Sequence, residues 1–220
     1  MSRSRGYRAR NAYQQPDVVE NYDVQRFDGT LGKLRHDTER RLLCWALGQT
    51  KLQSGSAVID VPCGTGRFLP ELKSMGFDAR GYDISRAMLD QADKRLRGLD
   101  LEVGLCEADA TSLPLGEESV DAVVSFRFMN HLPPEVRHAV LCEFARVSKR
   151  WLIASFTYRY SLQRLLRHPR RSRTQDHQYP VSIGELVRVL DSSGWRMRAH
   201  RFMRRGISET LVCLAERRDS

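Results

Sequence analysis

Three aspartates stand at or just past the ends of successive predicted strands in this 220-residue sequence. Asp60 lies at the end of a short apolar run, Asp83 follows 23 residues later, and Asp109 comes after the third run. Ligands of open α/β sheets bind at the carboxyl ends of the strands, so we expect these carboxylates to edge one crevice. Such a crevice repels phosphates and favours a ligand with positive charge nearby.

The turn after Asp60 contains Gly64 and Gly66 but does not match a phosphate-binding loop. A Walker loop requires G-x-x-x-x-G-K-[ST], which the sequence lacks. The dinucleotide fingerprint requires a third glycine, and Leu69 stands at that position. We therefore interpret the two glycines as residues that let the backbone approach a ligand closely.

The elements that must position these residues alternate between strands and helices. The pattern predicts strands at 57–61, 78–82, 101–106, 120–126, 151–157, 195–203 and 209–216. It predicts helices at 67–75, 86–97, 133–147 and 182–190, after a helical region from Pro16 to Leu47 that ends in a break between Gly48 and Gly55. This alternation predicts a doubly wound α/β sheet with helices on both faces.

S-adenosylmethionine fits the crevice, because it carries an α-ammonium and a sulfonium but no phosphate. Asp83 stands where a carboxylate accepts hydrogen bonds from both ribose hydroxyls in nucleoside-binding folds of this kind. Asp109 can accept a hydrogen bond from the adenine amine, and the backbone N–H of Ala110 can bond the ring. A single aspartate at a strand end is more often a turn former, so the set of three is what indicates the cofactor.

Residues 57–133 resemble the core of class I S-adenosylmethionine-dependent methyltransferases. The stretches "VIDVPCGTGRF", "GYDISRAML", "CEADATSLPL" and "VDAVVSFRFMNHLPP" resemble their first four motifs in order. The resemblance implies a Rossmann-like sheet of seven strands with the last strand antiparallel. It also implies that Asp60 lies near the methionine end, that Ser125 and Phe126 line that side, and that Met88 packs against the nucleoside. The predicted cofactor-binding residues are Asp60, Pro62, Cys63, Gly64, Gly66, Asp83, Ile84, Met88, Asp109, Ala110, Ser125 and Phe126, with Tyr22, Arg26 and Arg35 from the N-terminal region.

One residue departs from the family pattern. Many members have glycine where this chain has Pro62. Proline has no N–H to donate, so a cofactor contact at this position is limited to the carbonyl.

The catalytic group is less clear from the sequence than the cofactor site. Methyl transfer from a sulfonium is an in-line displacement, and a base is needed only if the acceptor must lose a proton. His131, in "MNHLPP", is the candidate base. A histidine in this position more often caps or packs against the Pro-Pro turn, which is the alternative interpretation. Arg127 fits either an acidic group of the substrate or a surface acid.

The N-terminal stretch "YQQPDVVENYDVQRFDG" resembles the helical lid that closes over the cofactor in some family members. Tyr22 and Arg26 share one helix face at i, i+4 spacing. Arg26 or Arg35 would pair with the cofactor carboxylate, and Tyr22 would cover the methionine chain. Ordinary helix packing is the alternative for this segment.

The insert at 158–181 is the predicted substrate segment. It combines an apolar helical face with flanking arginines, which suits an anionic membrane surface, an anionic substrate, or a lid packed on its own domain. We predict a methyltransferase that acts on a small or lipid-linked metabolite. The alternatives are an RNA or other nucleic-acid methyltransferase, and a non-catalytic S-adenosylmethionine-binding protein. The base-methylating motif Asn/Asp-Pro-Pro-Tyr/Phe is absent, and the sequence does not predict the oligomeric state.

The net charge of +9 is local rather than general. Fifteen arginines lie in three acid-free stretches, 1–10, 159–173 and 196–205, and the rest of the chain has 21 basic residues against 27 acidic ones. The stretch 159–173 is therefore a candidate contact for an anionic surface or a nucleic acid.

The remaining composition predicts a single cytoplasmic domain. Five cysteines show no C-x-x-C pair, so we expect free thiols in a reducing compartment and no metal site. No apolar run reaches transmembrane length, and no secretory signal is expected. We predict a flexible basic N-terminus at 1–16 and one domain at 17–220. Within that domain we assign a lid to 17–50, a cofactor-binding core to 56–157, the insert to 158–181 and a C-terminal helix and strands to 182–220.

Overall fold

The computed structural model describes residues 29–162, 178–204 and 208–218. The predicted flexible segment 1–16, the predicted lid residues Tyr22 and Arg26, and most of the 158–181 insert lie outside these ranges.

Within the described ranges the chain alternates between helices and strands, as the sequence predicts. The helices are α1 Thr30–Thr50, α2 Leu69–Ser74, α3 Arg86–Arg97, α4 Pro134–Val147 and α5 Ile183–Ser192, with a short 3₁₀ helix at Met129–His131. The strands are β1 Ala57–Asp60, β2 Asp78–Asp83, β3 Gly104–Glu107, β4 Val120–Ser125, β5 Ser148–Thr157, β6 Trp195–Phe202 and β7 Thr210–Arg217.

The seven strands form one sheet in the order β3-β2-β1-β4-β5-β7-β6. Strands β1 to β5 pair in parallel, and β7 runs antiparallel to both β5 and β6. The predicted seven-stranded sheet with an antiparallel last strand is confirmed. Strand order reverses between β1 and β4, which is where an open α/β sheet opens a crevice for ligands.

Apolar side chains fill both faces of this sheet. One core packs β-strand residues against α4 and α5, through Leu141, Phe144 and Leu186. The other packs the opposite face against α1, α2 and α3, through Leu43 and Leu69 among others. Because helices cover both faces, the central strands β1 and β4 are almost wholly buried and apolar.

Local capping explains why two helices begin where the sequence predicts. The side chain of Ser85 accepts a hydrogen bond from the backbone N–H of Met88 at the start of α3. Ser182 and Glu185 form a reciprocal capping box at the start of α5. Both caps satisfy N–H groups that the first helical turn leaves without partners.

The predicted break at Gly48 is wrong. Helix α1 continues through Gly48 to Thr50, where Lys51 adopts a left-handed conformation. Glycine weakens a helix by about 1 kcal/mol relative to alanine. Here Ala46, Leu47 and Thr50 are buried, and their packing outweighs that local preference.

No helix within the described ranges is long and apolar enough to cross a membrane.

Candidate functional site

Asp60 and Ser125 lie at the carboxyl ends of the two central strands. Asp60 is in register with Val124, the residue before Ser125, so the two residues end adjacent strands. Asp60 is 2% exposed and Ser125 is 0% exposed. In the part of the chain that the structure describes, neither Asp60 Oδ2 nor Ser125 Oγ has a hydrogen-bond partner. Buried polar atoms normally have partners, so this edge of the sheet is prepared for a polar ligand.

The carboxyl group of Asp60 has an unusual pKa. Burial raises this pKa to about 8, and the nearby carboxylate of Asp83 adds to the rise, while the guanidinium of Arg67 opposes it. A cationic ligand group beside Asp60 would stabilise the charged form that burial disfavours.

The turn that contains Gly64 and Gly66, called here the glycine turn, brings the backbone to the same edge of the sheet. Gly64 and Gly66 have φ values of +54° and +71°, which side chains other than glycine adopt only with strain. A Cβ at Gly66 would lie 3.0 Å from the Cβ of Ala92 on α3, whereas a Cβ at Gly64 would meet no described atom within 4 Å. Gly66 therefore permits close packing against α3, and Gly64 has room beside it in the part of the chain that the structure describes.

Asp83 holds the glycine turn in place. Its Oδ2 accepts the N–H of Gly64 at 2.8 Å, and its Oδ1 accepts the N–H of Ser85 at 2.9 Å. Burial raises the pKa of Asp83, and the backbone hydrogen bonds from Ser85, Gly64 and Ile84 lower it. Each carboxylate oxygen can accept a second hydrogen bond, so the predicted ribose contact remains compatible with this geometry.

Asp109 forms a turn after β3. Its Oδ1 accepts hydrogen bonds from both the N–H and the hydroxyl of Thr111, at 2.9 and 2.8 Å. Ala110 beside it is 8% exposed. The contacts of these two residues with adenine stay predictions.

The other predicted cofactor residues surround the glycine turn in different ways. Phe126 packs on Phe68, with ring centroids 4.7 Å apart. Met88 is buried and belongs to the first turn of α3. Cys63 is buried beneath the turn, where burial raises the pKa of its thiol well above the usual value. Pro62 and Ile84 are half-buried.

Glu39 is a residue of this region that the sequence analysis missed. Its carboxylate is 1% exposed, 3.0 Å from the guanidinium of Arg67 and 3.8 Å from that of Arg127. Arg67 also lies 3.0 Å from His36 Nδ1, and burial and then Arg67 lower the pKa of His36. These contacts join α1 to the glycine turn and to the segment after β4. Glu39 shares a helix face with Leu42 and Leu43. An acidic residue on an otherwise apolar helix face is the sequence feature that could have identified it as a buried, paired acid.

The remaining predicted residues fall into three groups. His131 is half-buried in the 3₁₀ turn after β4, at the same edge of the sheet as Ser125. Its backbone N–H donates to the carbonyl of Phe128 at 2.9 Å. Arg35 is exposed on α1. Tyr22 and Arg26 lie outside the described residues, and the roles assigned to all four stay predictions.

Within residues 29–162, 178–204 and 208–218, no group of three or more His, Cys, Asp or Glu side chains could hold a metal ion.

Comparison with known proteins shows what this chain resembles. A family model described as a methyltransferase domain matches residues 58–150. A demethylmenaquinone methyltransferase from Renibacterium salmoninarum is 33% identical over 146 residues, which cover 64% of this chain and 56% of that protein. A ubiquinone biosynthesis O-methyltransferase from Cupriavidus pinatubonensis is 29% identical over 173 residues, covering 72% and 67% of the two chains. The chain thus spans about half the length of the first relative.

The fold comparison agrees over most of the chain. The crystal structure of magnesium protoporphyrin IX methyltransferase from Synechocystis PCC 6803 with bound SAH superposes with a TM-score of 0.79 at 19% identity, covering 95% of this chain and 98% of that one. Residues 58–150 therefore match a methyltransferase-domain family model, and the chain has the fold of the class I S-adenosylmethionine-dependent methyltransferases.

Proposed function

We propose that this protein is an S-adenosylmethionine-dependent methyltransferase that acts on a small or lipid-linked metabolite. The observation that carries the proposal is a pair of buried polar atoms at the crevice, Asp60 Oδ2 and Ser125 Oγ, which have no hydrogen-bond partner among the described residues. Both atoms can accept hydrogen bonds, and the carboxylate favours a cation. The relatives named above are methyltransferases, which supports the same activity.

The polar groups that line the crevice fit S-adenosylmethionine better than they fit a phosphorylated nucleotide. Asp60 would hold the α-ammonium, and Gly64 would let the backbone come close to the methionine chain. Asp83 would accept from the ribose, while Asp109 and Ala110 would bind the adenine. S-adenosylmethionine supplies a methyl group already activated on a sulfonium. The residues of this chain therefore align the acceptor and exclude water, and His131 would take a proton where the acceptor has one to lose.

The class of acceptor is inferred from the relatives and the insert. The matched relatives are named for demethylmenaquinone and for ubiquinone biosynthesis, and a structural neighbour is named for a magnesium porphyrin. A partly apolar insert suits an acceptor of this hydrophobic, ring-bearing kind. The basic stretch 159–173 lies mostly outside the described residues, so its contact with an anionic surface or nucleic acid stays a prediction.

A cytoplasmic location is part of the proposal. Its support is that all five cysteines are free thiols, as expected in a reducing compartment.

Calorimetric titration tests the cofactor site. We expect S-adenosylmethionine to bind the parent protein, and Asp60→Asn to weaken binding roughly 10- to 100-fold, because a hydrogen bond to a charged group is lost. Asp121→Asn is the matched control: Asp121 is an aspartate of the same sheet, but it bonds Lys149 and the N–H of Ala57 at the start of β1. No binding to the parent, or equal losses in both variants, would contradict the proposed site.

An acceptor panel tests the activity itself. Demethylated quinols with polyprenyl tails, simple phenols, porphyrin carboxylates and an RNA pool would each be incubated with protein and S-adenosylmethionine. Release of S-adenosylhomocysteine with a quinol, phenol or porphyrin supports the proposal. Release with RNA alone would favour the nucleic-acid alternative, and cofactor binding without turnover on any acceptor would favour a non-catalytic binding protein.

A further inference from the structure

Arg137 is a buried cation that the cofactor site does not use. It lies in the first turn of α4 and is 4% exposed. Burial lowers the pKa of its guanidinium to about 10, so it stays charged near neutral pH. A cation near a helix N-terminus is also opposed by the helix dipole. Two unfavourable effects at one residue call for a compensating set of contacts.

Those contacts are backbone carbonyls from two separate segments. The Nε–H donates to the carbonyl of Met129 at 3.0 Å, and Nη2 donates to the carbonyls of Leu132 at 3.1 Å and Tyr179 at 2.7 Å. Within the described ranges Arg137 forms no ion pair, so these three carbonyl oxygens meet its charge. A planar guanidinium can serve several acceptors in fixed directions, which a lysine cannot reproduce.

The first segment is the turn after β4. Met129 and Leu132 flank His131, and the turn follows Ser125 and Phe126 at the crevice edge. Its position therefore sets where His131 stands relative to the methyl donor.

The second segment consists of residues 179–181, which lie between β5 and α5 and come just before α5. The N–H of Tyr179 donates to the carbonyl of Asn130 at 2.8 Å, which adds a direct contact with the turn. Val181 pairs in turn with the end of β5, since its N–H donates to the carbonyl of Thr157 at 2.9 Å. Residues 179–181 thus bridge the turn after β4 and the end of β5.

We infer that Arg137 is a positioning residue of the acceptor side: its guanidinium fixes the turn that carries His131 against residues 179–181. This inference rests on the proposed function for its catalytic consequence, since His131 matters to turnover only if the protein transfers methyl groups. The contact itself is independent of that function. Arg137 acts through the backbone and touches neither cofactor nor acceptor in this assignment.

Arg146 provides a matched control on the same helix. Its guanidinium also donates to two loop carbonyls, those of Leu115 at 2.8 Å and Leu113 at 3.2 Å. Both leucines lie in the connection between β3 and β4, which does not include the turn after β4. Arg146→Lys therefore disturbs a comparable contact without touching the turn after β4.

Hydrogen exchange and histidine NMR test the inference without any acceptor. In Arg137→Lys we expect exchange of the Tyr179 and His131 amides to rise roughly tenfold, as for the loss of a typical hydrogen bond. We also expect the ring signal of His131, assigned by its loss in His131→Gln, to shift. Both observables should stay unchanged in Arg146→Lys. Unchanged exchange and an unmoved His131 signal in Arg137→Lys would overturn the inference.

Hydrogen exchange in the parent protein tests the inference even if the Arg137→Lys variant does not fold. If one guanidinium joins the two segments, the amides of His131 and Tyr179 should open together with one protection factor. Protection factors that differ by more than about tenfold would show independent opening and overturn the inference.

Turnover adds the functional readout. On an acceptor found by the panel above, Arg137→Lys should lower kcat about tenfold or more, as expected for a displaced general base, with the KM for S-adenosylmethionine unchanged. An unchanged kcat would remove the positioning role. Failure of the parent to turn over would contradict the proposed function but leave the exchange results to decide the contact.

Discussion

Gly64 and Gly66 share a left-handed backbone but face different surroundings. A Cβ at Gly66 meets Ala92, whereas a Cβ at Gly64 meets no described atom. We predict that Gly66→Ala destabilises the fold, while Gly64→Ala keeps it at a strain cost of about 1 kcal/mol and weakens the binding of S-adenosylmethionine. Thermal unfolding and calorimetry measure the two effects. Equal cofactor affinity in Gly64→Ala and the parent would show that Gly64 does not border the ligand.

The pKa of Asp60 predicts proton release on cofactor binding. Burial raises this pKa from 3.8 to about 8, so the unliganded protein holds Asp60 mostly protonated at pH 6.5. A cationic ligand favours the carboxylate and therefore displaces the proton. Calorimetry at pH 6.5 in two buffers with different ionisation enthalpies should report release that is absent in Asp60→Asn.

The same residue predicts how the unliganded fold responds to pH. Because the folded pKa of Asp60 lies above the unfolded value, its contribution favours the folded state below pH 4 and is lost as pH rises through about 8. The Tm of the parent should therefore fall relative to that of Asp60→Asn between pH 6 and pH 8.5. A constant difference in Tm would contradict the raised pKa.

Sequence analysis could place those site residues whose location depends only on their position along a strand. Asp60 and Asp83 end strands, and the glycines follow directly, so pattern alone brings them to one edge. The pairing of Glu39 with Arg67 joins residues 28 positions apart, and only the packing of α1 decides it. The double role of Asp83, which also holds the N–H of Gly64, depends likewise on how β2 sits beside the turn.

A buried acid links helix α1 to the crevice. Glu39 is 1% exposed and neutralises Arg67, whose own side chain is 10% exposed. Glu39→Gln leaves a buried guanidinium without its carboxylate, a change that typically costs about 3–5 kcal/mol. We predict a marked fall in Tm and weaker cofactor binding, because the charge of Arg67, no longer neutralised by Glu39, lies close to the predicted ammonium site.

An exposed ion pair on the same helix supplies the control for Glu39. Arg40 pairs with Glu71 at 3.1 Å, and its side chain is 47% exposed. Since exposed pairs contribute about 1 kcal/mol or less, Arg40→Gln should change Tm little. Comparable losses in the two variants would show that Glu39 has no special role.

Element boundaries were predictable where a side chain caps the end. Ser85 and Ser182 begin α3 and α5 at the predicted residues, because capping is a local interaction. The end of α1 was not predictable in this way, since burial of Ala46 and Leu47 carries the helix past Gly48. Strand β3 begins at Gly104 rather than 101 because it pairs only with residues 80–83 of β2.

The whole sheet sets the electrostatic character of the crevice. Strands β1, β2 and β3 lie side by side in parallel, so Asp60, Asp83 and the Asp109 turn come to one edge although they are far apart in sequence. The alternation of strands and helices predicted this convergence. The antiparallel placement of β7 was expected from the family resemblance rather than from periodicity, and the order of the strands comes from the structure.

This arrangement predicts which nucleosides stabilise the folded protein. A ligand at 100 times its Kd adds about 2.7 kcal/mol to folding stability, which raises the Tm of a chain of this size by roughly 5–10 °C. S-adenosylmethionine and S-adenosylhomocysteine should produce such a shift, since both carry the α-ammonium that we propose faces Asp60. ATP and NAD should produce none, because carboxylates repel their phosphates. Differential scanning fluorimetry at matched concentrations measures all four ligands. An equal shift with ATP would show that the buried carboxylates do not select the ligand, and the same shift in Asp60→Asn would place the selection elsewhere in the crevice.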